Sequence, residues 1–118
     1  MSEKNIAQLF DRWNKALGTK NPQEVLKCYH EQSVLLPTLS NEVCDNAEKK
    51  CAYFEKFCAK GPVGTIDISH IRLYGEVAIH SGIYTFTFEN GSAATARFTF
   101  VYQNDLIVEH HSSLLPEA

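Results

Sequence analysis

The second half of the chain constrains the fold most, because from Thr65 onward it reads almost entirely as β-sheet. β-Branched and aromatic residues dominate this half, and turn signals interrupt it at short intervals. Asn90-Gly91 is the strongest of these signals, since this dipeptide favours the tight turn of a β-hairpin. The alternation of apolar residues changes phase near Ser69-His70, which predicts a bulge there. The pattern predicts four antiparallel strands, at about 65–74, 77–89, 93–102 and from 106 onward.

The first half carries helical periodicity instead. Apolar residues recur at spacings of three and four from Ser2 to Leu17, which predicts an amphipathic helix ended by Gly18. Asn21-Pro22 is typical of a helix cap followed by a first-turn proline, so a short second helix is expected through Tyr29. We expect a short strand at 33–36, and a third helix from residue 44 or 45 to residue 59.

Helices followed by a run of strands predict an α+β domain, with the helices on one face of a curved antiparallel sheet. The 118 residues suit one domain, 1–118, with a sizeable core. A sheet wrapped around the helices leaves a conical cavity, which is a natural place for a small ligand.

Composition excludes several classes of partner. The net charge of −3 and the lack of a basic cluster predict that the chain binds neither nucleic acid nor an anionic membrane surface. No apolar stretch approaches the length of a membrane span or of a signal core, so we expect a soluble, cytoplasmic protein. The four cysteines lack a C-x-x-C pair, which favours buried reduced thiols over a metal site or disulfides.

The last predicted strand carries an unusual density of groups that can titrate or donate. Alternation along a strand places Glu109, His111 and Ser113 on one face, with His110 and Ser112 on the other. One histidine–serine pair should therefore face the cavity, and we take His111 with Ser113 as that pair.

Other chemistries fit this segment less well. Adjacent histidines on a strand point to opposite faces, and no histidine or cysteine spacing matches a zinc signature, so no metal site is predicted. A hydrolytic triad of serine, histidine and Glu109 would lack a strained elbow and an oxyanion hole. An isomerase would use Glu109 as its base. Arg97 is the only charge in the third strand, and it either holds an anion in the cavity or is solvated outside.

The order of elements resembles the nuclear transport factor 2-like superfamily, and within it the association domain of calcium/calmodulin-dependent protein kinase II. Three segments more narrowly resemble the iota-class carbonic anhydrases. The resemblance covers nearly the whole chain, and the terminal segment is its most specific part. These segments are Leu-Leu-Pro-Thr-Leu-Ser-Asn at 35–41, Tyr53-Phe54, and His-His-Ser-Ser-Leu-Leu-Pro at 110–116.

This resemblance implies reversible hydration of carbon dioxide to bicarbonate and a proton. Some members of the class are described as zinc- or manganese-dependent, whereas cyanobacterial and algal members look metal-free. The spacing of the histidines favours the version without a cofactor.

Carried over by position, Thr38, Tyr53 and Ser113 correspond to the threonine, tyrosine and serine of the family's pocket. The double serine leaves the register open by one, so Ser112 is the alternative. His111 is expected to accept or relay the proton. Arg97 resembles the pocket arginine of the kinase association domain. The expected substrate contacts are Leu36, Phe54, Arg97, Phe98, His110 and Ser112.

A non-catalytic module for oligomerisation or ligand binding, like the kinase association domain, is the alternative function. In either case an open antiparallel sheet exposes a face that helices on one side cannot cover, which predicts a homodimer.

Overall fold

A computed structural model describes residues 2–116, so both ends of the predicted domain 1–118 lie outside the described residues. Three helices and five strands follow one another in the order of an α+β fold, which confirms the predicted fold class. No helix of the described part of the chain is long and apolar enough to cross a membrane. The elements are α1 (Glu3–Gly18), α2 (Pro22–Leu26), β1 (Tyr29–Leu36), α3 (Ala47–Ala59), β2 (Val63–Tyr74), β3 (Val77–Thr87), β4 (Ala93–Gln103) and β5 (Leu106–Leu114).

The five strands form one sheet in the order β1-β5-β4-β3-β2. Strands β2 to β5 pair antiparallel with their sequence neighbours, as predicted. Strand β1 adds to β5 in parallel, which the sequence did not predict. The expectation that the second helix runs through Tyr29 is wrong, because Tyr29 pairs with Ile107 of β5 and its side chain is buried.

Helix α3 begins later than predicted. Asn46 caps it by accepting a hydrogen bond from the backbone N–H of Lys49. Cys44 lies before the helix, where its backbone exchanges two hydrogen bonds with Leu35. Cys44 is therefore not part of α3, which contains Cys51 and Cys58. All four cysteines are free thiols, and Cys51 alone is not buried.

Two bulges change which side chains face the helices. The pairing of β2 with β3 shifts between Ile66 and Ile68, a few residues before the predicted bulge at Ser69-His70. In β5, Ile107 pairs with Tyr102 while Glu109 pairs with Val101, so one extra residue, Val108, lies between the two pairs.

Helix α1 lies across the concave face of the sheet and supplies the centre of the core. The Trp13 ring packs against Phe100 and Phe86, with centroids 5.4 and 5.9 Å away. Helix α3 closes one side of the core, where the Phe54 and Tyr29 rings pack with their centroids 5.7 Å apart. Burying an apolar side chain of this size stabilises a fold by about 1.5–3 kcal/mol.

Gly82 of β3 is the position where a side chain is least tolerated. A Cβ there would lie 1.8 Å from the carbonyl oxygen of Ile68 on β2. We expect Gly82→Ala to lower the free energy of unfolding by about 1–3 kcal/mol or more, because the backbones of two paired strands must separate. Urea unfolding measures this. Gly18→Ala is the matched control, since a Cβ at Gly18 meets nothing within 4 Å. Equal stability of the two variants would contradict the close approach of β2 and β3.

Candidate functional site

A continuous run of side-chain hydrogen bonds passes through the core from α1 to the loop after β1. Its members come from three strands as well as the helix and the loop, and all but one of them are buried. We call it the polar chain. Its members, in order, are Trp13, Tyr29, His110, Tyr84, Ser112 and Thr38.

The inner half of the polar chain holds His110 between two phenols. Trp13 Nε1 donates to Tyr29 Oη at 3.0 Å, and Tyr29 Oη lies 2.8 Å from His110 Nδ1. On the other side of the ring, His110 Nε2 lies 3.2 Å from Tyr84 Oη. Burial, and secondarily the nearby His111, lower the pKa of His110 to about 3. The imidazole is therefore neutral at physiological pH and carries one proton.

The outer half of the polar chain converges on Ser112. Tyr84 Oη donates to Ser112 Oγ at 2.7 Å, and Thr38 Oγ1 donates to the same oxygen at 2.5 Å. The Tyr84 ring stacks on Phe98 with a centroid distance of 4.5 Å, which lets a residue of β3 reach across β4 to β5. Burial raises the pKa of Tyr84, so the phenol stays protonated as a hydrogen-bond donor.

The bulge at Val108 determines which half of the terminal motif enters the core. Without it, the residues in phase with the buried Ile107 would be His111 and Ser113. The extra residue reverses that phase, so His110 and Ser112 are buried, each 3% exposed. The predicted inward pair, His111 with Ser113, is therefore wrong. The expectation that the adjacent histidines face opposite sides is confirmed, since His111 is exposed.

A small, partly open cavity, which we call the inner cavity, lies beside the polar chain. Its volume of about 10 Å³ is near the minimum that can hold one water molecule. Four polar side chains border it: Thr38, Tyr53, Tyr84 and His110. The remaining walls are apolar and consist of Trp13, Leu35, Pro37, Phe54, Phe57 and Phe86.

Among the described residues, Tyr53 is the one polar side chain at this cavity that does not belong to the polar chain. Burial raises the pKa of Tyr53 to about 12, although the Leu39 backbone and the Thr38 hydroxyl oppose the effect by favouring the phenolate. The phenol is therefore neutral and offers its proton as a donor. The structure brings Tyr53 and Thr38, two of the predicted site residues, to the same cavity.

An outer pocket of about 320 Å³ lies between the loop after β1 and the end of β5. Thr38 borders both this pocket and the inner cavity, so the two spaces lie on either side of its side chain. The other predicted residues that line the outer pocket are Leu36, His111, Ser112 and Ser113. Ser113 forms no side-chain hydrogen bond within the described residues.

A second surface pocket, of about 390 Å³, opens on the other side of Tyr53. Tyr53 and Phe57 line both this pocket and the inner cavity. Lys49, Lys56 and Lys60 also line it, against one carboxylate, Glu42. In a chain of net charge −3, this mouth therefore carries locally positive charge.

Two predicted substrate contacts do not reach either space. Arg97 is exposed, because it alternates with the buried Ala96 and Phe98 and so points away from the helices. The parallel with a pocket arginine is therefore wrong. Phe98 faces inward but lies beneath the Tyr84 ring, and it borders neither the cavity nor the outer pocket.

Three members of the polar chain were not predicted as site residues: Trp13, Tyr29 and Tyr84. Each belongs to a run of core aromatics, so its apolar ring explains its position in the pattern and hides its polar atom. The one available signal was that Trp and Tyr, when buried, usually hydrogen-bond to a partner.

Possible metal ligands are not gathered in this structure. Both nitrogens of His110 already face Tyr29 and Tyr84, while His111 points outward. Across residues 2–116, no group of three or more His, Cys, Asp or Glu side chains could hold an ion. The side chains present therefore do not fit a zinc or manganese centre.

Comparison with known proteins places this chain in a family. The model of the calcium/calmodulin dependent protein kinase II association domain matches residues 2–116. A crystal structure from Xanthomonas campestris, provisionally described as such an association domain, is 44% identical, with a TM-score of 0.93; the match covers 100% of this chain and 91% of that one. No curated protein sequence matches the chain.

More distant structures show the same fold. A nuclear transport factor 2-like protein of unknown function from Shewanella oneidensis has 20% identity and a TM-score of 0.76, over 96% of this chain and 99% of that one. Another from Pseudomonas putida has 15% identity and a TM-score of 0.82, over 98% and 87%. These likenesses confirm the predicted nuclear transport factor 2-like fold.

Two buried histidines should make the fold sensitive to acid. Burial lowers the pKa of His80 to about 4 and that of His110 to about 3, from 6.5. Below pH 6.5 the unfolded chain binds protons that the folded chain does not, so stability falls as pH falls toward 4. Each histidine contributes up to about 1.4 kcal/mol per pH unit.

Urea unfolding between pH 7 and 4.5 measures that slope. We expect His80→Gln to remove about half of the histidine contribution to it. His70→Gln, at an exposed position of β2, should keep the wild-type slope. An unchanged slope in His80→Gln would contradict a neutral buried His80.

Proposed function

This chain belongs to the calcium/calmodulin-dependent protein kinase II association domain family, and we propose that it catalyses the reversible hydration of carbon dioxide to bicarbonate. One observation carries the proposal: Thr38, Tyr84 and Ser112 join their hydroxyls beside a water-sized cavity with apolar walls. The resemblance of the terminal motif to iota-class carbonic anhydrases supplies the reaction. The substrates are therefore small: carbon dioxide, water and bicarbonate.

The pocket residues hold the reactants and stabilise the charge that develops. Thr38, Tyr53 and Tyr84 border the inner cavity and position the attacking water. Phe54 in the wall of the cavity and Leu36 in the wall of the outer pocket provide apolar surface that suits a nonpolar gas. Attack of the water oxygen forms the new C–O bond, and one C=O electron pair moves onto an oxygen of the former carbon dioxide. Hydroxyl donors directed at that oxygen stabilise its negative charge.

The proton that water loses must leave the pocket. His110 is a poor acceptor, because burial holds its pKa at about 3 and both of its nitrogens have hydrogen-bond partners. His111 lines the outer pocket and is exposed, so in this proposal it takes the proton and passes it to solvent. Bicarbonate leaves through the outer pocket, which opens to solvent beside His111.

No metal step is included, because the side chains present do not fit a metal centre.

The proposal also includes a cytoplasmic location. Its support is that all four cysteines are free thiols, which is the usual state in a reducing compartment.

Substitution of the two serines tests the register of the terminal motif. In stopped-flow hydration assays on chelator-treated protein, we expect Ser112→Ala to lower kcat/KM by about tenfold or more, because the Thr38 and Tyr84 hydroxyls lose their shared acceptor and the pocket loses a donor. Ser113→Ala should retain at least about half of the activity, since Ser113 lies on the opposite face of β5. Tyr53→Phe should fall between the two.

Three results would count against this proposal. Wild-type protein no faster than buffer alone would exclude catalysis. Activity that returns only with added zinc would contradict a mechanism without metal. Greater loss in Ser113→Ala than in Ser112→Ala would contradict the serine assignment.

A non-catalytic association role is the second candidate, and the edge of the sheet favours it. Strand β2 is twelve residues long, lies at the sheet edge, and exposes large apolar side chains. Val63 and Tyr74 are 60% and 61% exposed, and Ile68 is 46% exposed. An exposed apolar edge strand is a template for pairing, here with a second copy of the chain.

Light scattering after size exclusion tests the homodimer. We expect a mass about twice the 13.3 kDa of one chain. Ile68→Lys should give a monomer, whereas Val43→Lys, at an exposed apolar residue outside the sheet, should not. A monomeric wild type would contradict the interface, and a dimer that hydrates no carbon dioxide would favour the association role alone.

A further inference from the structure

The inner end of the polar chain sets the direction of its hydrogen bonds. The Trp13 indole can only donate, so Tyr29 Oη is the acceptor in that bond. The phenolic proton of Tyr29 then needs an acceptor of its own. Among residues 2–116, the one remaining hydrogen-bond neighbour of Tyr29 Oη is His110 Nδ1.

Two arrangements of protons can be drawn for these bonds, and the direction from Tyr84 to Ser112 described above belongs to the first. In the first, Tyr29 donates to His110 Nδ1, the proton of His110 is on Nε2 and is donated to Tyr84, and Tyr84 donates to Ser112. In the second, every one of these three bonds is reversed, and His110 carries its proton on Nδ1. Both arrangements keep the bonds from Trp13 to Tyr29 and from Thr38 to Ser112.

The two arrangements differ in which proton lacks an acceptor. The second leaves the Tyr29 proton unpaired in the core, where Tyr29 is only 5% exposed. A buried donor without a partner costs free energy. The first leaves the proton of Ser112 Oγ free instead. Ser112 lines the outer pocket, where water or an anion can accept that proton.

We propose that Tyr29, with the donor-only Trp13 behind it, fixes His110 as the Nε2–H tautomer and so leaves the Ser112 proton for an anion oxygen in the outer pocket. Tyr29 acts here as a positioning residue, because it reaches the anion only through His110, Tyr84 and Ser112. The inference rests on the proposed function for the identity of the anion, bicarbonate.

The same geometry makes the Ser112 hydroxyl a hydrogen-bond donor, which suits an anion. Its oxygen accepts from Tyr84 and from Thr38, so both lone pairs are occupied and its remaining capacity is donation. Accepting two hydrogen bonds strengthens a hydroxyl as a donor. The site therefore offers a proton to an anion and no lone pair to a cation.

Long-range ¹H–¹⁵N correlation spectra of the labelled full-length chain test the inference, because they report which imidazole nitrogen bears the proton. In the wild type we expect His110 to be a single tautomer with its proton on Nε2. In Tyr84→Phe the Nε2–H has no phenol to accept it, so the Nδ1–H form should become populated.

Tyr102→Phe is the matched control for the loss of a phenolic hydroxyl. Tyr102 is buried on the neighbouring β4, and its hydroxyl has no partner among the described residues. We expect the wild-type tautomer in this variant. A shift of His110 in Tyr102→Phe equal to that in Tyr84→Phe would assign the effect to general loosening of the core and overturn the inference.

The decisive outcome comes from the wild type and needs no variant to fold. His110 with its proton on Nδ1, or an equal mixture of tautomers, would overturn the inference even if the protein hydrates carbon dioxide. The Nε2–H tautomer in a protein without hydration activity would support the inference while the proposed function fails. The two claims therefore fail separately.

Discussion

The extra residue in β5, Val108, determines what the terminal motif can do. A regular strand would have turned His111 and Ser113 toward the helices, next to the buried Ile107. The bulge turns His110 and Ser112 inward instead and leaves His111 in the outer pocket. A single irregularity thus separates a buried, neutral imidazole, which orients hydroxyls, from an exposed imidazole that can exchange protons with solvent.

The polar chain uses nearly all of its hydrogen-bonding capacity. Elsewhere in the described core, Ser33 Oγ, His80 Nδ1 and Tyr102 Oη have no partner. A partly satisfied polar group is a burden, whereas a fully connected one specifies a single arrangement of side chains. The connected groups also lie beside the inner cavity. Pre-organised hydrogen-bonding groups and a site for a small molecule therefore coincide.

Sequence reasoning succeeded where local chemistry determines structure. The Asn90-Gly91 hairpin, the end of α1 at Gly18 and the antiparallel order of β2 to β5 follow from turn residues and periodicity. It failed where tertiary pairing decides. Tyr29 joins a strand because a parallel partner, β5, is available, and no local pattern reveals a partner so distant in sequence.

The site was predicted in part for the same reason. Thr38, Tyr53 and the terminal serines were found from motif resemblance, and the structure brings them together around two adjoining spaces. The choice between Ser112 and Ser113 depended on a bulge that pairing imposes. Arg97 was misplaced because both faces of β4 carry plausible residues, and only the packing of Phe98 and Phe100 shows which face is inside.

Exchange of ¹⁸O between labelled carbon dioxide and water, followed by mass spectrometry, tests the central claim most directly, because it detects hydration and dehydration at equilibrium. The account predicts that metal-depleted wild-type protein accelerates the loss of ¹⁸O from carbon dioxide, and that Ser112→Ala removes most of this acceleration. A rate equal to that of buffer alone would contradict it.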